Sequence, residues 1–172
     1  MKNFDELSAI FPRYTETGEQ TELFFKTGIT KKSPKKVHAF LQNMASFYTF
    51  DLIALRNQSS KRTGHKQQQP LPFSNRLLLI TAKVRTARIA GDFTLGYVNK
   101  YAIEKIRPLA KSPYRTEILL TGGHHLYSLW TPKTILQNMR EATLAVSSPD
   151  ENSDMFLAIH QCIELLLTLR KL

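Results

Sequence analysis

A single cysteine, Cys162, occurs in the 172 residues, so neither an internal disulfide nor a zinc centre built on several cysteines can form within the chain. Acidic side chains are also scarce, 14 against 24 lysines and arginines, which leaves a formal net charge of +10 at neutral pH. No run reaches 18 consecutive apolar residues, so nothing reads as a transmembrane helix and no membrane partner is expected. The stretch Met1 to Phe11 carries Asp5 and Glu6 where a secretory signal needs an uninterrupted apolar core. With a lone thiol, this makes the cytoplasm the expected location.

Catalytic patterns are missing as well. There is no phosphate-binding Walker loop and no dinucleotide fingerprint, because Gly91, Gly96, Gly122 and Gly123 lack the required spacing. His124 and His125 are neighbours in an expected strand, so they point to opposite faces and cannot share a metal. His160 and Cys162 lie two apart in an expected helix and do not face each other. Asp92, Glu104, Glu117 and Glu141 read as surface carboxylates. The expectation is a protein that is not an enzyme and needs no cofactor or metal.

What is present is a hydrophobic share of 42% and a charged share of 22%, ordinary for a folded domain, and one domain spanning 1–172 is expected. The excess charge is concentrated. Residues 1–25 carry a net −3, residues 26–88 a net +12 and residues 89–172 a net +1. Cations gathered in one segment favour a polyanionic partner, since each phosphate they neutralise releases condensed counterions.

The expected architecture is α+β: a mainly antiparallel sheet with one helix in the N-terminal half and two C-terminal helices. Met1 to Ser8 reads as helical or irregular, and Thr21 to Lys26 as a short strand. Ser33-Pro34 predicts a helix start, with Val37, Phe40, Leu41 and Met44 on one buried face up to about Ser46. Lys31, Lys32, Lys35 and Lys36 around that start read either as a phosphate site or as a solvated turn. The aromatic and branched run Phe47 to Leu55 predicts a strand, and the polar stretch 56–69 a loop serving as a basic arm or a plain connector.

A sheet core is expected over 71–130. Pro72 confines its strand to an edge, and the apolar run Arg76 to Thr81 predicts a strand covered on both faces. Gly91-Asp92 marks a turn, Leu95 to Asn99 and Ile103 to Ile106 two short strands or one strand with a break, and Pro108 an end to pairing. Gly122-Gly123 predicts a hairpin between Arg115–Thr121 and His124–Trp130. Helices are expected over 132–145 and over 149–171, the second opened by the capping box Ser148-Pro149-Asp150-Glu151. Phe156, Ile159, Ile163 and Leu166 form its apolar stripe, which reads as docking on the sheet or as a subunit interface.

The order Pro72, Ser74-Asn75, apolar strand, basic connector, Gly96-Tyr97-Val98-Asn99, glycine hairpin and a helix with Asn138 and Arg140 resembles the ComK-like competence transcription factors. A weaker likeness, from Gly96 to Met139, is to LytTR-type DNA-binding domains. The resemblance covers roughly residues 70–145. It implies a homo-oligomeric activator that binds double-stranded DNA at A/T-rich boxes through the minor groove, under control of an adaptor protein that directs proteolysis. Met155-Phe156-Leu157 lacks the proline of the family's adaptor-binding segment.

The residues expected to contact DNA are Lys61, Arg62 and Lys66 in the arm, Arg76 at the strand start, and Lys83, Arg85 and Arg88 in the connector. The competing expectation is a protein-interaction module whose basic surface docks an acidic partner.

Overall fold

The computed structural model describes residues 3–16, 18–64 and 66–146. The fold is α+β, with nine strands in two antiparallel sheets and three α-helices among the described residues. The larger sheet contains β1 (Leu7–Thr15), β2 (Gly18–Phe25), β3 (Thr30–Ser33), β4 (Leu71–Ser74), β5 (Leu77–Lys83) and β6 (Leu95–Asn99) in the order β3-β2-β1-β6-β5-β4. The smaller is a meander of β7 (Ile103–Lys111), β8 (Tyr114–Leu120) and β9 (His124–Ser128). The helices are α1 (Val37–Phe47), α2 (Leu52–Thr63) and α3 (Pro132–Val146).

β5 explains the layering. Successive side chains of a strand point to opposite faces. Leu77 and Leu79 therefore join Leu41, Met44, Leu52 and Leu55 in a core under α1 and α2. Leu78, Ile80 and Ala82 join Ile118, Leu120, Leu126 and Ile135 in a second core, under the small sheet and α3. A strand covered on both faces, as its continuous apolar run predicts, is what these two cores require. Burying each such leucine contributes about 1.5–3 kcal/mol.

Two close approaches require glycine, one within the large sheet and one between the sheets. A side chain on Gly96 of β6 would meet Val84 Cγ1 at 2.9 Å and Phe11 Cβ at 3.0 Å, so only glycine fits between them. At the predicted hairpin, Leu120 pairs with His124 across the turn Thr121-Gly122-Gly123. The Gly122 backbone there lies against Gly28 and the Phe25 carbonyl of the large sheet. His124 extends the same contact, stacked on Phe24 with its Nε2 3.1 Å from the Phe25 carbonyl oxygen.

Several expectations are corrected. Phe47 to Leu55 is not a strand: α1 ends at Phe47, and Asp51 caps α2 by accepting a hydrogen bond from the Ala54 N–H at 2.7 Å. A cap together with burial of Leu52 and Leu55 outweighs the β-propensity of the aromatic run. Residues 56–63, expected as a loop, are the rest of this helix, which Gly64 closes in the left-handed conformation at φ 74°. The N-terminal half thus holds two helices.

Ser33 does not cap α1, because it pairs with Thr21 as the end of β3, and the helix starts at Val37. Lys31 and Lys32 consequently stand exposed on an edge strand, where charge discourages pairing with another chain. From Asn3 onward, the stretch expected as helical or irregular holds a single 3-10 turn at Phe4–Glu6 and then enters β1, with Pro12 inside it opposite Thr21. Pro108 does not end pairing either. It stays in β7 opposite Thr116, tolerated because β7 is an edge strand. The helix expected over 149–171 lies outside the described residues.

Candidate nucleic-acid interface

Strand directions decide which cations meet. β1 and β5 end, and β6 begins, at the same margin of the large sheet, since Lys83 pairs with Leu95 and Ile10 with Tyr97. The loop before β4 reaches that margin too, where the Gln68 carbonyl accepts a hydrogen bond from Thr81 Oγ1 at 3.4 Å. Lys83, Arg85 and Arg88 thereby lie at one end of the sheet, and Lys66 stands two residues before Gln68 in the loop that reaches it. Arg13 of β1, which the sequence reading passed over, joins them.

The connector 84–94 is firmly built. Arg88 and Ile89 donate their backbone N–H groups to Asp92 Oδ2 at 3.0 Å and 3.1 Å, and the Val84 N–H reaches the Thr94 carbonyl at 3.0 Å. Tyr14 of β1 is its anchor. The phenol donates to Asp92 Oδ2 and accepts the Arg88 N–H at 3.0 Å, while the guanidinium carbons of Arg85 and Arg88 lie 3.8 Å and 4.1 Å from the ring centroid. The hydrogen bond from Tyr14, then those from the Ile89 and Arg88 N–H groups, hold the Asp92 carboxyl below its ordinary range.

The seven expected contacts differ in what their charge is already doing. Arg85 is committed: its side chain is only 11% exposed, it pairs with Glu19, and its Nε donates to the Phe93 carbonyl at 2.9 Å. Its Nη1 is buried without an acceptor, a situation that costs about 1–3 kcal/mol. Arg62 is exposed but donates through Nη1 to the Ala145 carbonyl at 2.6 Å, satisfying the end of α3. Arg76 lies in the β4–β5 turn at the far end of β5, roughly 20 Å of strand from Lys83.

Arg88, Lys61 and Lys66 are exposed and Lys83 is half-buried, and no carboxylate pairs with any of them among the described residues. Arg13, 61% exposed, lies 3.1 Å from Glu22, the kind of surface pair that is worth about 0–1 kcal/mol. Its placement follows from β1, a strand with no counterpart among the expected elements because Pro12 stands inside it. No group of three or more potential metal ligands occurs among the described residues, and none of their helices is long and apolar enough to cross a membrane. No family model matches the chain, and no curated protein or solved structure is similar to it.

Proposed function

We propose that the chain is a sequence-specific double-stranded DNA-binding regulator of transcription, reading A/T-rich sites through the minor groove and acting in the cytoplasm as a homo-oligomer. The observation that carries this reading is that Arg13, Lys83 and Arg88 lie at one end of the large sheet. A narrow A/T-rich minor groove has an enhanced negative potential that attracts inserted cations, so a loop bearing arginine can discriminate sequence without a recognition helix. Arg88 is placed for this role at the connector tip, with Lys66 and Lys83 as phosphate contacts. Arg85 positions the connector rather than touching phosphate, since its charge is paired with Glu19. The resemblance to competence activators supports the same reading, and adaptor-directed proteolysis rests on that resemblance alone.

The test is titration of A/T-rich and G/C-rich duplexes at one fixed ionic strength, followed by a salt series. An A/T preference of at least about tenfold is expected, as is a salt slope that falls by about 0.9 in Arg88→Ala. Equal affinity for both duplexes would reduce the surface to a merely cationic one and overturn the reading.

A further inference from the structure

The margin that gathers the cations also opens a cleft between the two sheets, of about 450 Å³, within the range of small-molecule pockets. Its apolar lining comes from Phe11, Phe24, Val84 and Leu126. Its polar lining combines Arg13, Tyr14, Arg85 and Arg88 of the large sheet's margin with Tyr114, His125 and Tyr127 of the small sheet, and no acidic residue among the described residues lines it. We propose that this cleft binds a small anion carrying a flat aromatic ring, with a nucleoside monophosphate as the representative ligand.

Two observations point to the anionic half. Arg85 lines the cleft with an Nη1 that is buried and has no acceptor, although its other nitrogens are satisfied by Glu19 and the Phe93 carbonyl. The Arg88 guanidinium lies on the Tyr14 ring, a contact that leaves its N–H edge unpaired by any carboxylate among the described residues. Glu19 and Glu22 offset Arg85 and Arg13, and Asp92 accepts the Arg88 backbone N–H, so what the cleft offers an anion is the set of guanidinium N–H donors on Arg88 rather than a net charge. A phosphate accepts from the free guanidinium edge of Arg88 in fork geometry.

The ring half follows from the opposite wall. Tyr114 and Tyr127, on adjacent strands β8 and β9, hold their rings 5.8 Å apart at 46°, and Tyr127 is 41% exposed. An aromatic pair lining the same cleft as the Arg88 guanidinium suits a stacked base whose phosphate reaches that arginine. A purely apolar ligand would leave the buried Nη1 as unsatisfied as before, and a bare phosphate would leave the tyrosine wall uncovered.

This inference stands apart from duplex binding, although Arg88 belongs to both surfaces. Calorimetric titration of the full chain with adenosine monophosphate, adenosine and inorganic phosphate separates the contributions. The monophosphate should bind at least about tenfold more tightly than either part, and Tyr127→Ala and Arg88→Gln should each weaken it by about tenfold. Thermal melting checks that both variants fold; both positions are exposed, and Arg88→Gln carries the test if Tyr127→Ala melts early. Heat from none of the three probes would overturn the proposal. Phosphate binding as tightly as the monophosphate, with Tyr127→Ala indifferent, would do so equally. Tyr127→Ala should leave duplex affinity unchanged, so failure of the protein to bind any duplex sinks the regulator reading and leaves the cleft standing.

Discussion

Gly122 and Gly123 are adjacent, both have positive φ, and only one of them is indispensable. A Cβ on Gly122 would sit 2.7 Å from Gly28 N and 2.7 Å from the Phe25 carbonyl oxygen, whereas one on Gly123 meets nothing within 4 Å. Gly122→Ala should therefore lower stability by about 2–4 kcal/mol, through backbone strain plus displaced main chain. Gly123→Asn should cost less than about 1 kcal/mol, because asparagine tolerates the left-handed region. Urea unfolding of the pair checks this, and equal losses would mean that the inter-sheet contact is unimportant. The hairpin was readable from Gly122-Gly123, but the second role of Gly122 was not, since Gly28 lies far away in sequence. Asp5 is a second residue whose work is invisible locally. Its Oδ1 accepts hydrogen bonds from Ser74 Oγ at 2.6 Å and Tyr48 Oη at 2.8 Å, joining β4 to the end of α1. Burial alone would raise the Asp5 carboxyl, but these two bonds and the charges of Arg76 and Lys26 outweigh it and hold the group below its ordinary range. A lowered folded-state value means that the unfolded chain takes up the proton first. The stabilisation is therefore complete above about pH 3.9 and fades as pH falls through the folded value. Asp5→Asn should cost about 1–2 kcal/mol at neutral pH, with the gap to wild type closing on acidification in denaturant titrations. A gap independent of pH would show that the charge is irrelevant.

Among the elements, α2 tests how local signals compete. Its buried face is only Leu52, Leu55 and Ser59, and apart from Ile53 and Ala54 the remainder is polar. Such a helix depends on its ends. Asp51→Ala removes the acceptor of the Ala54 N–H and should cost about 1 kcal/mol, read as a lower urea midpoint with an unchanged slope. A loss near zero would leave packing alone to explain the helix. The strand assigned to Phe47–Leu55 came from weighing β-propensity over this cap, and the polar arm from weighing composition over the closing Gly64. Both caps were present in the sequence, but a stripe of two leucines is too narrow to call attention to them. β5 was legible for the opposite reason: a run buried on both faces needs no periodicity. β1 was not, because Pro12 normally interrupts a strand, and it survives here only because pairing with β6 is limited to Ala9 and Ile10. With β1 missed, Arg13 and Tyr14 were missed, and the connector appeared as a free basic segment rather than one fastened to a neighbouring strand.

For the whole molecule, the question is whether the cationic margin acts as charge alone or as charge held in place. A free segment would lose entropy on meeting DNA, whereas the connector here is ordered in advance by Tyr14, Asp92 and the Phe93 carbonyl. The small sheet adds a further brace, because Leu129 N–H and Ser128 Oγ both donate to the Lys83 carbonyl, at 2.8 Å and 3.0 Å. Two substitutions separate the contributions. Arg88→Ala removes a cation and lowers both affinity and salt slope. Tyr14→Phe removes no charge and retains the ring beneath Arg85 and Arg88, but it deletes the hydroxyl that donates to Asp92 and accepts the Arg88 N–H. With about 1 kcal/mol of hydrogen bonding lost, affinity for an A/T-rich duplex should fall roughly fivefold. Its slope against salt should not move, because the number of phosphates neutralised is the same. Anisotropy titrations at four or five salt concentrations measure both quantities. A slope that falls with Tyr14→Phe would mean that Arg88 leaves the groove once unpinned. Unchanged affinity would mean that the fastening serves the fold and contributes nothing to recognition.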